Sequence, residues 1–161
     1  MAVTLKEGDK APSFEALDQN GKTVKSSDFE GKNLILYFYP KDDTPGCTKE
    51  ACNLRDNHEM WLNKGYSVLG VSPDNGESHQ KFIKKYELPF SLLADTDKTI
   101  MEAYGTWGEK NMYGKIKMGV LRTTFVIDSE GMITKIFKRP KTAEHTEQIV
   151  TALKKLKKWE E

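Results

Sequence analysis

The chain has 161 residues, 37% apolar and 30% charged, with 25 basic against 24 acidic side chains and a net charge of +1. That length suits one domain with a proper core, and that composition excludes a disordered chain. The charge balance gives no reason to expect nucleic acid or an anionic membrane as a partner.

Residues 9–12 read as an opening turn. Segments 13–17 and 22–25 flank Asp18-Gln19-Asn20-Gly21, whose Asn-Gly pair predicts a hairpin. Residues 28–31 are a turn, and 33–39 form a continuous apolar run, as in a strand covered on both faces. Residues 45 to about 63 read as one helix, rich in Glu, Lys, Arg, Ala and Leu and stopped by Gly65. A second buried strand spans 66–71, a helix 77–87, a short strand 90–93 and a helix 98–104. A Gly-containing loop is expected over 105–119. Segments 123–128 and 132–138 form a hairpin around Ser129-Glu130-Gly131. The last helix runs from 142 to about 158, with Ile149, Leu153 and Leu156 at i, i+4 and i+7. A β-α-β half thus joins a β-β-α half around a central mixed sheet flanked by helices. This order suits an α/β, thioredoxin-like fold, one domain over residues 1–161, with the N-terminal β-hairpin as an extension.

No apolar run approaches a membrane span, and Met1 to Gly8 lacks the apolar stretch of a signal peptide. A cytoplasmic protein is expected, where two cysteines make a poor structural staple. Redox chemistry or inert burial remain for them. Both lie in Tyr39-Pro-Lys-Asp-Asp-Thr-Pro-Gly-Cys-Thr-Lys-Glu-Ala-Cys52. Thr44-Pro45 is a helix-start signal, which puts Cys47 in the first turn. There the free N–H groups and the helix dipole favour a thiolate. Thr44 is expected to cap, its hydroxyl accepting from the Cys47 N–H. Glu50 is either a first-turn acid or the partner of an arginine. Trp107 either lines a pocket or packs. His58, His79 and His145 show no metal spacing, and phosphate-loop, dinucleotide and serine-nucleophile motifs are missing, so neither metal nor cofactor is expected.

Pro40, Thr44 and Cys47 match the P-x-x-x-T-x-x-C motif of the peroxiredoxins. Cys52, at C-x4-C, resembles the bacterioferritin comigratory protein (peroxiredoxin Q) subfamily. Arg122-Thr-Thr-Phe-Val-Ile-Asp128 is similar to the segment that carries that family's active-site arginine, and Trp107-Gly108 through Tyr113-Gly-Lys115 reads the same way. The resemblance runs from about Gly8 to the last helix. Asp42, inside the motif, reads as ordinary variation.

The resemblance implies a thiol peroxidase acting on hydrogen peroxide and organic hydroperoxides. Cys47 would be the attacking cysteine, Cys52 the resolving one, and thioredoxin or a similar dithiol protein the reductant. Thr44 would contact the sulfur or the peroxide, Pro40 would shield the thiolate, and Arg122 would face Cys47. A monomer or weak homodimer is implied. On a regular helix, residues five apart have Cα atoms about 8.7 Å apart, whereas a disulfide needs less than about 7 Å. A Cys47–Cys52 bridge therefore requires unwinding. Three alternatives stay open. Cys52 is only a small core residue, with an external thiol resolving Cys47. The chain is a thiol–disulfide oxidoreductase, although C-x-x-C is missing. Or it is a redox sensor that does not turn over.

Overall fold

A computed structural model describes residues 3–159. Strands β1 (Glu15–Leu17) and β2 (Thr23–Lys25) pair antiparallel across the expected Asn-Gly turn. There follow β3 (Asn33–Phe38), α1 (Pro45–Asp56), α2 (His58–Asn63), β4 (Tyr66–Ser72), α3 (Gly76–Tyr86), β5 (Ser91–Ala94) and α4 (Thr99–Tyr104). Strands β6 (Trp107–Met112), β7 (Lys115–Val120), β8 (Thr123–Ile127) and β9 (Ile133–Phe137) lead to α5 (His145–Lys155).

Seven strands make one mixed sheet in the order β2-β1-β5-β4-β3-β8-β9. β3, β4 and β5 run parallel at its centre, and β8 pairs antiparallel with both β3 and β9. The N-terminal hairpin joins the sheet edge through Leu17 opposite Ala94.

Side-chain alternation along the strands sorts the core into two layers. Ile35, Tyr37, Tyr39, Val68 and Val126 pack on one face with Cys47, Ala51 and Leu54 of α1, Trp61 of α2, Phe82 of α3, and Ile149 and Leu153 of α5. Leu34, Leu36, Phe38, Phe125 and Ile127 pack on the other with Ile100, Met101 and Tyr104 of α4. Each fully buried aliphatic or aromatic side chain contributes about 1.5–3 kcal/mol. The two-residue period also sends Arg122 and Thr124 toward the face that carries α1 and α5, and this positions the site. Among the described residues, no helix is long and apolar enough to cross a membrane.

Three local expectations are corrected. The single helix over 45–63 is two helices, broken at Asn57 (φ −112°, ψ 11°). There the Asn57 amide donates to the Asn53 carbonyl at 2.8 Å, the kind of side-chain bond that competes with the helix ladder. The loop expected over 105–119 is the β6–β7 hairpin. Its two-residue turn has Tyr113 at φ +55° and Gly114 at φ +81°, as a type I′ turn requires. The pattern was hard to read because Lys115, Ile116, Lys117 and Met118 are all exposed, so no apolar alternation marks β7. Leu156 lies past the end of α5 and is 42% exposed rather than part of its apolar stripe.

Candidate active site

The site forms beyond the C-terminal ends of β3 and β4, where open α/β sheets place their ligands. Tyr39 still donates its N–H to the Val71 carbonyl at 3.1 Å, and half-buried Pro40 then ends the pairing. Thr44 takes the N-cap position of α1 with extended backbone (φ −96°, ψ 158°), and Pro45 is the first helical residue. Cys47 therefore stands in the first turn, 1% exposed. The Thr44 hydroxyl does not cap. It donates to the Lys41 carbonyl at 2.8 Å instead. The turn at Asp43, with φ +58°, folds that carbonyl within its reach. With its proton used there, the Thr44 oxygen keeps its lone pairs for another donor.

Arg122, just before β8, reaches across to α1. Its Nη2 donates to Cys47 Sγ at 3.2 Å and its Nη1 to Glu50 Oε1 at 2.8 Å. Gly46 makes room for it, since a Cβ there would lie 3.3 Å from Nη2. Burial weighs against the guanidinium charge, but Glu50 and Cys47 outweigh it and hold the arginine pKa above its ordinary value. Glu50 is fully buried, and its Oε2 has no hydrogen-bond partner. Burial pushes its pKa up to about 7, against the pull of Arg122.

Behind Glu50 stands His145, also fully buried, with Nε2 3.6 Å from Glu50 Oε2. Burial drives the histidine pKa down to about 4, so the ring is neutral at pH 7. Its tautomer follows from its neighbours. Gln148 Oε1 accepts the Lys141 N–H at 2.8 Å, so it is an oxygen, and His145 Nδ1 donates to it at 3.0 Å. Nε2 then accepts from the Thr124 hydroxyl at 2.7 Å.

A second buried acid lies on the other side of the loop. Asp42 accepts from the Tyr39 hydroxyl at 2.6 Å and the Ser78 hydroxyl at 2.8 Å, and its Oδ2 lies 2.7 Å from His79 Nδ1. His79 Nε2 donates to the Leu93 carbonyl at 2.9 Å. Asp74 Oδ2 accepts from the Asp42 N–H and the Ser72 hydroxyl. Asp42, Asp74 and His79 place three ligand-type atoms within 4.8 Å of one another. Hydrogen bonds already occupy these groups, which suits a knot that fixes the loop rather than a metal site.

The structure thus brings Cys47, Arg122 and Glu50 together, with Thr44 at the cap and Pro40 at the strand end. Cys52 lies further along the same unbroken helix, partly exposed, and both cysteines are free thiols. Burial raises the Cys52 thiol pKa. Trp107 packs against the opposite core layer with the Lys98 ammonium 5.0 Å from its ring centre, and no described contact ties it to Cys47. Sequence reasoning missed His145, Thr124, Gln148 and the Asp42–His79 pair. The His145–Gln148 spacing at a helix start was the available signal for the first group.

The AhpC/TSA family model matches residues 7–136. The Bacillus subtilis peroxiredoxin Bcp is 45% identical over 152 residues, covering 94% of this chain and 97% of the relative. Among solved structures, the Xanthomonas campestris bacterioferritin comigratory protein, described with alkyl peroxide reduction activity, superposes with a TM-score of 0.82. It is 34% identical and covers 89% of this chain and 91% of its own. The Xylella fastidiosa PrxQ superposes with a TM-score of 0.87 at 30% identity, covering 95% of this chain and 98% of that one.

Proposed function

The chain belongs to the AhpC/TSA family and is a peroxiredoxin, a peroxidase, and on that footing we propose that Cys47 is its attacking thiolate and Arg122 the group that orients it. The observation that carries this is the 3.2 Å contact from Arg122 Nη2 to Cys47 Sγ at the start of α1. The thiolate attacks one oxygen of hydrogen peroxide or an organic hydroperoxide. An S–O bond forms, the O–O bond breaks, and the leaving oxygen takes a proton and departs as water or an alcohol. Cys47 is left as a sulfenic acid. The guanidinium stabilises charge as it moves onto the leaving oxygen. Thr44, whose own proton is committed to Lys41, accepts the peroxide O–H and holds the attacked oxygen in line. Pro40 offers no N–H to draw water to the sulfur. Organic hydroperoxides are included because the Xanthomonas relative is described with alkyl peroxide reduction.

Cys52 then attacks the sulfenic sulfur, water leaves, and a Cys47–Cys52 disulfide forms. A thioredoxin-type dithiol restores the two thiols in the reducing cytoplasm, and residues 1–161 work as one domain. Both cysteines sit within α1 (Pro45–Asp56), so this step needs the first turns of that helix to open. Opening gives up a few helical hydrogen bonds at about 0.5–1.5 kcal/mol each, a cost that disulfide formation can offset.

The test is peroxide consumption coupled to thioredoxin and its reductase, with mass spectrometry after one equivalent of peroxide. Cys47→Ser abolishes consumption. Cys52→Ser permits one turnover and leaves a sulfenic acid, while the native chain forms the disulfide. Full thioredoxin-dependent turnover by Cys52→Ser would remove Cys52 from the scheme.

A further inference from the structure

The two halves of α1 are held unequally. From Asn53 onward the helix is pinned to its neighbours. Asn53 Oδ1 accepts the Thr146 N–H at 2.7 Å, and its Nδ2 donates to the Ala143 carbonyl at 3.1 Å and to Glu147 Oε2 at 3.2 Å. Thr146 stands in the first turn of α5, where N–H groups have no partner within the helix, and the α5 N-cap residue Glu144 supplies no side-chain bond. Asn53 thus caps α5 from α1. Leu54 beside it is fully buried, and Arg55 Nη1 donates to the Tyr86 carbonyl at the end of α3 at 2.7 Å. The half before Asn53 is built differently. Thr44 gives it no side-chain cap, and Gly46 and Thr48 are poor helix formers. Arg122 ties this half to the sheet, through Cys47 Sγ at 3.2 Å and Glu50 Oε1 at 2.8 Å. The first of those bonds is to the sulfur that peroxide oxidises. Upstream the chain is fixed again, where the Asp42 N–H donates to Asp74 and Asp43 accepts from Lys85 Nζ and the Tyr86 hydroxyl at 2.8 Å each. Asp43 to Asn53 is ten residue steps, which span about 15 Å as helix and up to about 33–36 Å extended. The stretch between them can unwind with both ends in place.

We propose that in the resolving step Cys47 travels and Cys52 stays: α1 opens from Thr44 to Cys52, while Asn53 and Arg55 hold the rest of the helix, and Cys52 at its edge, in place. The proposal rests on the reading of Cys52 as the resolving cysteine. Cys47 leaves Arg122 as a sulfenic acid and comes out to the partly exposed Cys52 thiol. The S–S bond forms as the S–O bond breaks, and the hydroxyl departs with the thiol proton as water. The opposite movement, of Cys52 into the Cys47 pocket, pulls Asn53 off α5 and uncovers Leu54. It also leaves the Thr146 N–H, in a residue 3% exposed, without its acceptor, and a buried donor left unmade is costly. Opening the first half exposes Cys47, Glu50 and Ala51 instead. Glu50 loses Arg122 but gains water at an Oε2 that is buried without a partner in the closed helix.

The experiment is residue-resolved amide exchange, read by nuclear magnetic resonance on the native chain before and after one equivalent of hydrogen peroxide. Two amides report. The Thr48 N–H donates to the Thr44 carbonyl at 2.8 Å and reports the first turn of α1, and the Thr146 N–H reports the Asn53 pin. On oxidation, exchange at Thr48 is expected to rise at least about tenfold, and exchange at Thr146 to stay within about twofold. Reduced Asn53→Ala sets the level for a released Thr146 amide. Alanine favours helix more than asparagine does, so faster exchange at Thr146 in this variant marks the lost pin and not a weaker α1. An unchanged Thr146 amide there means that Asn53 pins nothing, and overturns the proposal. A Thr146 amide in the oxidised native chain as fast as in the variant, or a Thr48 amide still protected, overturns it too while leaving Cys52 as the resolving cysteine. Mass spectrometry of the same sample checks that reading separately, and a missing Cys47–Cys52 bond overturns both. If Asn53→Ala fails to fold, the native chain decides, since its reduced form is the reference for its oxidised form.

Discussion

Two buried acid–histidine pairs flank the Cys47 helix, and they differ in how completely they are closed. Asp42 and His79 sit 2.7 Å apart, with Tyr39 and Ser78 donating to the acid and His79 donating to the Leu93 carbonyl. Whichever atom carries the proton between them, the polar groups there are satisfied. Glu50 and His145 sit 3.6 Å apart, with Oε2 bare. The same residue types therefore do different work. A satisfied buried network fixes geometry and has little to gain from changing state. A half-satisfied one has a second arrangement close by, and here it adjoins the arginine that touches the reactive sulfur.

The largest expected effect comes from breaking the closed pair. Asp42→Ala leaves His79, Ser78 and Tyr39 facing a void, which is expected to cost about 3–5 kcal/mol of stability. Glu50→Gln keeps the shape of the open pair and removes a charge that burial disfavours. Arg122 remains partly exposed at its side chain and keeps Cys47, so this variant is expected to lie within about 1 kcal/mol of the native chain near pH 7. Urea denaturation of both variants makes the measurement. Equal losses would mean that the two pairs are equivalent.

Much of this site was legible in the sequence, for reasons tied to particular residues. Thr44-Pro45 announced the helix start, and local propensity alone placed Cys47 in its first turn. The apolar runs at 33–39 and 66–71 announced the central strands, because burial on both faces leaves few polar residues, Asn33 and Ser67, to blur them. Arg122 was different. Nothing local distinguishes it from a solvated arginine, and only resemblance marked it. Asp42 looked like a loop acid because its partners Ser78 and His79 come from α3, 36 and 37 residues later. His145 was hidden by the short 3-10 turn at Thr142–Glu144, which ends just before it and sets the phase of α5. The 105–119 hairpin was missed because its strands expose both polar and apolar side chains.

A smaller effect sharpens the contrast through pH. The Glu50 pKa is raised from 4.5 to about 7, so the folded state binds more protons than the unfolded state in that window. Its contribution is full below 4.5 and is lost as pH rises through about 7, by about 3 kcal/mol. His145 is lowered from 6.5 to about 4, so the unfolded state binds more protons between those values and stability rises with pH there. The two slopes oppose each other over most of the range, and together they leave this pair nearly flat. Glu50→Gln removes one slope. Its stability relative to the native chain is expected to climb by about 3 kcal/mol between pH 4.5 and 7, as read from urea midpoints across pH. A constant difference would place Glu50 among ordinary carboxylates.

The smallest effect lies at Tyr37 of β3 and at Tyr39, one residue past the end of that strand. Tyr37 and Tyr39 stack with centroids 5.4 Å apart. The Tyr39 hydroxyl donates to Asp42 at 2.6 Å and belongs to the closed knot. The Tyr37 hydroxyl is buried without a partner, in space left open by Gly70, where a Cβ would lie 3.0 Å from it. Removing a bonded hydroxyl leaves an acceptor short and costs about 1–3 kcal/mol, whereas removing an unbonded one relieves a desolvation cost and is neutral or stabilising by up to about 1 kcal/mol. Tyr39→Phe is therefore expected to destabilise and Tyr37→Phe to do the opposite or nothing, although both delete one oxygen from stacked rings two residues apart. The two urea midpoints moving in opposite directions supports the division of the molecule into a closed and an open side. A loss in Tyr37→Phe matching that in Tyr39→Phe would mean that the Tyr37 hydroxyl is bonded, and would remove that division.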